Sequence, residues 1–93
     1  MGSPAKEVYF VFMNFDPEYD HLRKNRSKQG TLDSYLNRKH DKLLAKLLQP
    51  NSYKKRSSLA IVDGFAVEMT QDQAAVLRGA KEVRIVEKNQ ELA

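Results

Sequence analysis

Several residue types are missing or scarce in this 93-residue sequence. It contains no cysteine and no tryptophan, and its only histidines are His21 and His40. The absence of cysteine excludes disulfides, thiol catalysis and cysteine-based zinc sites, and two separated histidines do not suggest a metal cluster. No apolar run approaches the ~18 residues of a membrane span, and the N-terminus lacks the apolar region of a signal peptide. We therefore expect a domain without metal, cofactor or membrane segment.

The length allows one domain with a single modest core. We place that domain at residues 6–89 and treat residues 90–93 as an extended tail. Residues 1–5, which begin Met1-Gly2-Ser3-Pro4, are expected to be a cloning remnant or disordered. The composition, 41% hydrophobic and 30% charged, favours a small binding domain over an enzyme.

The formal charge of +4 is distributed unevenly. Residues 21–56 carry eleven Lys or Arg and two Asp, whereas the rest of the chain carries five basic and ten acidic residues. A basic segment can mark a nucleic-acid footprint. It is also typical of the solvated side of a helix and a loop, so the sign of the charge does not decide between the two.

The first periodic segment is the apolar run at residues 8–13, which is typical of a central strand buried on both faces. Its alternation does not say whether Val8, Phe10 and Phe12 or the residues between them face the core. Residues 14–30 then combine Asp-Pro, Asn and Gly with charges of both signs. This composition predicts a long loop.

Leucines at three- and four-residue spacing predict an amphipathic helix from Thr31 to just before Pro50. His40 lies on or beside the apolar face of this helix. We interpret His40 as a partly buried packing residue rather than a general base, because the sequence positions no serine or acid to complete a relay.

A β-hairpin is predicted around Asp63-Gly64, since both central residues of a type I′ turn require positive φ. In that register the flanking residues divide between two faces. One face carries Ala60, Val62, Phe65, Val67 and Met69, and the other carries Leu59, Ile61, Ala66 and Glu68. A turn shifted toward Ile61 is an alternative and would change this division. The second set is too apolar for a solvated surface, which indicates a face that a partner covers.

A second helix follows the hairpin. Thr70 and Gln73 form a capping box, in which the Thr70 side chain accepts from the Gln73 amide and the Gln73 side chain reaches back. Gly79 is expected to end this helix in a left-handed conformation.

A last strand over residues 83–86 should place Val83 and Ile85 on one side and Arg84 on the other. The order β-α-β-β-α-β predicts an α+β, ferredoxin-like domain, in which two helices cover one face of a four-stranded antiparallel sheet. The other face stays open. The expected core comprises Val8, Phe10 and Phe12 or their alternates, with Leu36, Leu43, Leu47, Phe65, Val67, Leu77, Val83 and Ile85.

No catalytic constellation emerges, because the serines lie in loops or on polar helix faces and the acids are scattered. One alternative is an RRM-like RNA-binding domain, since the RRM uses the same sheet and Gly64-Phe65-Ala66-Val67 partly resembles its third-strand motif. However, Asp63 stands where that motif needs Lys or Arg. Val67 and Met69 stand where it needs stacking rings.

Six segments carry a family resemblance. They are Val8-Tyr9-Phe10-Val11, Ser34-Tyr35-Leu36-Asn37-Arg38-Lys39-His40-Asp41-Lys42-Leu43-Leu44, Ser52-Tyr53-Lys54-Lys55, Asp63-Gly64-Phe65-Ala66-Val67-Glu68-Met69-Thr70, Gln73-Ala74 with Leu77, and Val83-Arg84-Ile85-Val86-Glu87. In their order and spacing, over about residues 6–90, they resemble the prodomain of plant subtilisin-like serine proteases, a family of propeptide-type protease inhibitors.

The resemblance implies a non-catalytic domain that packs its open sheet face against two parallel surface helices of a protease. The open-face contacts would then be Leu59, Ile61, Ala66 and Glu68. The domain would assist folding of the protease as an intramolecular chaperone and then inhibit it. The tail, Gln90-Glu91-Leu92-Ala93, would lie in the substrate cleft as a bound product.

The resemblance also places Glu87 and Asn89 where related prodomains cap the N-termini of the protease helices. A helix N-terminus offers unpaired N–H groups and partial positive charge, and a carboxylate satisfies both. Asn89 keeps the acceptor without the charge.

The partner implied is a subtilisin-like serine protease, with no nucleic acid and no membrane, and the free domain is expected to be monomeric. Membership in a subtilase precursor would place it in the secretory pathway or outside the cell. A free-standing domain with a non-protease partner is a further alternative. Under the prodomain interpretation the basic segment is the solvated back of the molecule, and the acidic residues Glu68, Glu87 and Glu91 meet the partner.

Overall fold

The structure, a computed structural model, describes residues 5–25 and 29–89. In chain order the described elements are β1 (Glu7–Met13), α1 (Pro17–Lys24), α2 (Gln29–Leu47), β2 (Lys54–Leu59), β3 (Gly64–Met69), α3 (Gln71–Arg78) and β4 (Val83–Lys88). Residues 1–4 of the expected N-terminal remnant and the tail at 90–93 lie outside the described residues.

The four strands form one antiparallel sheet in the order β2-β3-β1-β4. This order is consistent with the ferredoxin-like arrangement, so the predicted α+β fold class is confirmed. β1 pairs with β3 on one side and β4 on the other, which explains why its sequence is apolar at every position from 8 to 13.

The core lies between one face of the sheet and the helices. In β1 the alternates Tyr9, Val11 and Met13 supply the buried side chains. They share one cluster with Phe65, Val67 and Met69 of β3, Leu43 and Leu44 of α2, and Ala74 and Leu77 of α3. Because both α2 and α3 contribute to this cluster, they cover the same face of the sheet. Most of the other predicted core residues are also buried or partly buried: Leu36, Leu43, Leu47, Leu77 and Val83.

Ile85 is a predicted core residue that the structure places outside the core. The β1–β4 register shifts between Phe12 and Met13, so Phe12 pairs with Ile85 whereas Met13 pairs with Val83. As a result Val86 is only 6% exposed and Ile85 is 38% exposed. The prediction that Val83 and Ile85 share a side is therefore wrong, because simple alternation does not anticipate an irregularity of this kind.

The segment predicted as a long loop, residues 14–30, contains helix α1 and the first two residues of α2, so that prediction is wrong for Pro17–Lys24 and for residues 29–30. The Asp16 side chain accepts from the backbone N–H of Glu18 over 3.0 Å, and Pro17 begins the helix. Leu22 is buried with Leu32 and Leu36 of α2. Asp-Pro is compatible with both a turn and the start of a helix. The burial of Leu22 against α2 favours the helix.

The hairpin between β2 and β3 also differs from the prediction. Leu59 pairs with Gly64, and residues 60–63 form a four-residue loop instead of a two-residue turn at Asp63-Gly64. Asp63 does have positive φ, at 43°, but Gly64 does not. Gly64 is needed for a different reason: a Cβ there would lie 2.7 Å from the carbonyl oxygen of Val11. The glycine thus allows β3 to approach β1 at the start of the strand.

The capping box of α3 is confirmed. Thr70 Oγ1 accepts from the Gln73 backbone N–H over 3.2 Å, and the Gln73 side chain accepts from the Thr70 N–H over 2.9 Å. Gly79 caps the C-terminus, but its φ of −84° is right-handed, so the expected left-handed conformation is wrong. None of the helices that the structure describes has the length and apolar character that crossing a membrane requires.

Candidate functional site

The sheet face opposite α2 and α3 has an apolar centre built around Phe10 and Phe12 of β1. Directly opposed residues of antiparallel strands share a face. The six central positions, in register across β3, β1 and β4, are Ala66, Phe10, Glu87, Gly64, Phe12 and Ile85. We call this surface the open face. Phe10 and Phe12 are both half-buried, so part of each ring is available to a partner.

The predicted open-face residues lie largely on this surface. Ala66 and Glu68 belong to it through their pairing with Phe10 and Val8, and Leu59 belongs to it through its pairing with Gly64. Ile61 does not lie on a strand. It is 84% exposed in the hairpin loop, beside the open face rather than within it.

Charged side chains accompany the apolar residues of the open face. Glu68 forms an ion pair with Arg56 over 3.2 Å, and both side chains remain partly exposed. Glu87 is exposed next to Phe10, and among the described residues its side chain has no hydrogen-bond or ion-pair partner. The open face is therefore apolar around Phe10 and Phe12, with Glu87 as its uncompensated carboxylate, whereas Glu68 is paired with Arg56 and lies opposite Lys54.

The end of β4 is held firmly beside the start of β1. The Asn89 backbone N–H donates to the Val8 carbonyl over 2.8 Å. Lys88 donates to Glu7 over 2.6 Å, and this hydrogen bond raises the pKa of Lys88. Glu87 and Asn89, the two predicted capping residues, thus lie two positions apart where the strand leaves the sheet. The tail at 90–93 continues from this point.

A polar cluster lies on the other side of the sheet, around the fully buried His40 of α2. His40 Nδ1 is 2.8 Å from Ser58 Oγ, and His40 Nε2 is 3.0 Å from Asp63 Oδ1. The expectation that no serine or acid would meet His40 is therefore wrong. The fold brings both to it from β2 and the hairpin loop.

This Ser58–His40–Asp63 arrangement has the connectivity of a nucleophile–base–acid relay, but its environment opposes catalysis. The imidazole has no exposed surface, and desolvation lowers the pKa of His40 despite the raising effect of Asp63. A ring that resists protonation is a poor acceptor for the serine proton. The expected packing role of His40 fits this burial, and its two hydrogen bonds join β2 and the hairpin loop to α2.

Lys39 extends the cluster toward α1. Its ammonium group lies 2.5 Å from Asp63 Oδ2 and 2.9 Å from Asp16 Oδ2, and Asp16 also accepts from the Tyr35 hydroxyl over 2.5 Å. Burial opposes ionisation of Asp16, yet the hydrogen bonds from Lys39 and Tyr35 hold its pKa below the ordinary value. The same contact and desolvation raise the pKa of Tyr35. The cluster links α1, α2 and the hairpin loop.

The sequence analysis missed Phe10, Phe12 and Ile85 as open-face residues. A signal was present, because a strand that is apolar on both faces needs cover on both faces. The alternation of β1 did not show which of its residues face the core. The irregular register at Met13 places Ile85 on the side opposite to the one expected.

The domain thus has an α+β fold with two helices covering one face of its sheet and a largely apolar second face. A family model, peptidase inhibitor I9, matches residues 9–93. The chain therefore belongs to the peptidase inhibitor I9 family, and the predicted resemblance to subtilase prodomains is confirmed.

Two curated relatives are plant proteases. The chain is 43% identical to subtilisin-like protease SBT2.5 of Arabidopsis thaliana over 101 aligned positions, covering 89% of this chain and 12% of that protein. It is 43% identical to subtilisin-like protease SBT2.6 of the same organism over 56 residues, covering 59% of this chain and 7% of that protein. The chain thus spans at most 12% of the length of these relatives. No solved structure matches it significantly.

Proposed function

We propose that this chain binds a subtilisin-like serine protease through its open face and C-terminal tail. It acts as the prodomain of that protease or as a free-standing inhibitor of the same type, and it assists the folding of the protease before inhibiting it. The open face, with Phe10, Phe12 and Ile85 at its centre, is the observation that carries this proposal.

The chemistry of the open face suits two helices of a partner. Burying apolar surface contributes about 25 cal/mol per Å² removed from water, so the half-exposed rings of Phe10 and Phe12 favour association. Helix N-termini carry partial positive charge and unpaired N–H groups. Glu87, which is exposed and has no partner among the described residues, is suited to accept from them.

RNA binding on the same face has less support. Glu87, which has no partner among the described residues, lies beside Phe10 where a phosphate backbone would approach. A like charge there opposes the electrostatic attraction on which nucleic-acid affinity depends. If the chain is part of a protease precursor, it acts in the secretory pathway or outside the cell.

The test compares two exposed β-branched residues on opposite sides of the sheet. Ile85 is 38% exposed on the open face, and Val76 is 47% exposed on α3. Increasing amounts of wild-type protein, Ile85→Arg or Val76→Arg are added to a purified subtilisin-like protease, and residual activity gives the inhibition constant. We expect Ile85→Arg to inhibit at least tenfold more weakly than wild type and Val76→Arg to inhibit equally well.

Thermal unfolding of each variant ensures that a loss of inhibition is not a loss of folding. Equal inhibition by both variants would remove the open face from the proposal. Failure of the wild-type domain to inhibit plant subtilases, together with a salt-sensitive shift of labelled RNA, would favour the RNA-binding alternative.

A further inference from the structure

The exposed charges of α2 are segregated. Arg38, Lys42 and Lys46 follow one another at four-residue spacing along one flank of the helix. Asp41 lies on the opposite flank, where it pairs with Lys55 of β2 over 3.0 Å. We call the first flank the basic flank. Successive cations on it are separated by a rise of ~6 Å along the helix axis.

Two hollows lie along the basic flank. The larger, about 490 Å³, lies between α2, the segment that follows β1 and the turn before β4. The smaller, about 310 Å³, lies beside Tyr35 and Arg38. Both are lined by Lys39 and Lys42, so they are adjacent on α2, and we call the two hollows together the groove.

The groove has an apolar wall as well as cations. Phe15, Leu43 and Met13 line the larger hollow. Phe15 is 81% exposed, so its ring is available at the mouth of the groove. An aromatic ring with this exposure beside lysines suits a ligand that combines apolar and anionic groups.

Charge pairing leaves three cations available. Within the groove, Asp16 is bound to Lys39 over 2.9 Å and Glu82 to Lys46 over 2.6 Å, and the Lys46 contact lowers the pKa of Glu82. The remaining cations are Arg38, Lys42 and Lys81, whose side chains have no ion-pair or hydrogen-bond partner among the described residues. The groove therefore presents uncompensated positive charge.

We propose that this groove binds an extended acidic peptide segment of a partner protein. Alternate residues of an extended peptide are ~6.6 Å apart, close to the spacing of Arg38 and Lys42. Carboxylates on alternate positions thus match the spacing of these two cations, and Lys81 lines the same hollow as Lys42. An apolar side chain between them then packs against Phe15.

The groove favours a peptide over a nucleic acid. A nucleic-acid strand carries a charge on every phosphate, and the carboxylates of Asp16 and Glu82 also line the larger hollow. A peptide can place apolar side chains there instead. The groove lies on the helical side of the sheet, so it can be occupied while a protease covers the open face. The proposal is therefore independent of the proposed function.

The test is fluorescence anisotropy with a fluorescein-labelled octapeptide of alternating glutamate and leucine at low salt. We expect the wild-type domain to bind this peptide. The double variant Lys42→Glu/Lys81→Glu should bind at least tenfold more weakly, and Phe15→Ala should bind several-fold more weakly. Lys42→Glu places a glutamate four residues before Lys46, a favourable helical pair, so folding should be retained, and circular dichroism checks this.

A matched control is Lys6→Glu/Lys54→Glu, which changes the net charge equally at exposed positions away from the groove. We expect it to bind like wild type. Equal loss in both double variants would reduce the effect to net charge and overturn the proposal. A second peptide has serine in place of each leucine. The proposal also fails if this peptide binds as tightly as the original, or if a single-stranded oligonucleotide of equal charge binds more tightly.

Discussion

Asp63 Oδ1 lies 3.0 Å from Nε2 of His40, although 23 residues separate them in the sequence. Asp63 belongs to the hairpin loop with a left-handed φ of 43°, and His40 lies in the middle of α2 with no exposed surface. This buried contact holds the hairpin loop against α2.

Removing the Asp63 carboxylate should destabilise the domain. Asp63→Ala leaves Lys39 and His40 without this partner, and we expect a loss of about 3 kcal/mol in the free energy of unfolding. Asp63→Asn retains an acceptor for His40 and tolerates positive φ, so we expect a smaller loss of about 1–2 kcal/mol. Urea denaturation at neutral pH measures both.

The control for these variants is Asp41→Ala. Asp41 also forms an ion pair, with Lys55, but its side chain is 64% exposed. Exposed pairs contribute ~0–1 kcal/mol, so this change should be small. A loss for Asp63→Ala no larger than that for Asp41→Ala would show that the buried contact is not stabilising.

The domain should lose stability as the pH falls below about 6.5. Desolvation lowers the pKa of His40 from its ordinary value of 6.5, so the unfolded chain binds a proton before the folded protein does. Protonation therefore favours unfolding, by up to ~1.4 kcal/mol per pH unit for one group. Urea denaturation at several values between pH 7.5 and 5 should reveal this slope.

Replacing His40 by glutamine should flatten that pH dependence, while His21→Gln, at the exposed histidine of α1, should leave it in place. The absolute stability of His40→Gln will be lower because the buried cluster is altered. The slope with pH is the diagnostic quantity. An unchanged slope in His40→Gln would assign the acid sensitivity to other groups.

Gly64→Ala should destabilise the sheet. The new Cβ would lie 2.7 Å from the backbone oxygen of Val11 and 3.1 Å from Cδ1 of Phe12, and a backbone atom in a central strand cannot move aside easily. Overpacking of this kind costs ~1–3 kcal/mol. The matched control is Gly79→Ala, where the nearest atom is 3.6 Å away and φ is −84°. Equal melting temperatures for the two variants would contradict the steric argument.

If Glu87 and Asn89 cap helices of the protease, substitutions at these two positions should have opposite effects on inhibition. Glu87→Ala should weaken protease inhibition by about three- to tenfold, the range that a lost helix cap gives. Asn89→Asp should strengthen inhibition, since a carboxylate adds charge complementarity to the acceptor already present. Inhibition constants at low and high salt measure both. The control is Glu18→Ala, which removes an exposed carboxylate of α1. It should leave the inhibition constant unchanged at both salt concentrations.

If the C-terminal tail lies in the protease cleft, shortening it should weaken inhibition without changing the stability of the domain. Deleting Leu92 and Ala93 should reduce inhibition of a subtilisin-like protease, because these residues would lie in its cleft. The thermal unfolding of the domain should not change, since the core lies within residues 9–86. A truncated protein that inhibits with undiminished potency would place the tail outside the cleft.

The sequence by itself determined the elements that depend on local physics. The apolar run of β1, the leucine periodicity of α2 and the capping box at Thr70 and Gln73 each follow from short-range spacing. The order of these elements then led to the α+β class. The resemblance to subtilase prodomains also needed the sequence alone, since the segments that carry it occur in family order.

Other features depended on which surfaces meet. Helix α1 begins at an Asp-Pro that is also a turn signal, and only the burial of Leu22 on α2 identifies it as a helix. The parity of β1 and the exposure of Ile85 depended on packing and on the irregular β1–β4 register. Neither is encoded in the alternation of a single strand.

The polar cluster around His40 shows most clearly the difference between what the sequence determined and what the tertiary structure decided. Periodicity placed His40 on the inner side of α2, but its partners Ser58 and Asp63 come from β2 and the hairpin loop. A buried imidazole requires hydrogen-bond partners, yet the sequence does not say which residues provide them. Only the tertiary structure decided that, because the contacts join segments separated by 18 and 23 residues.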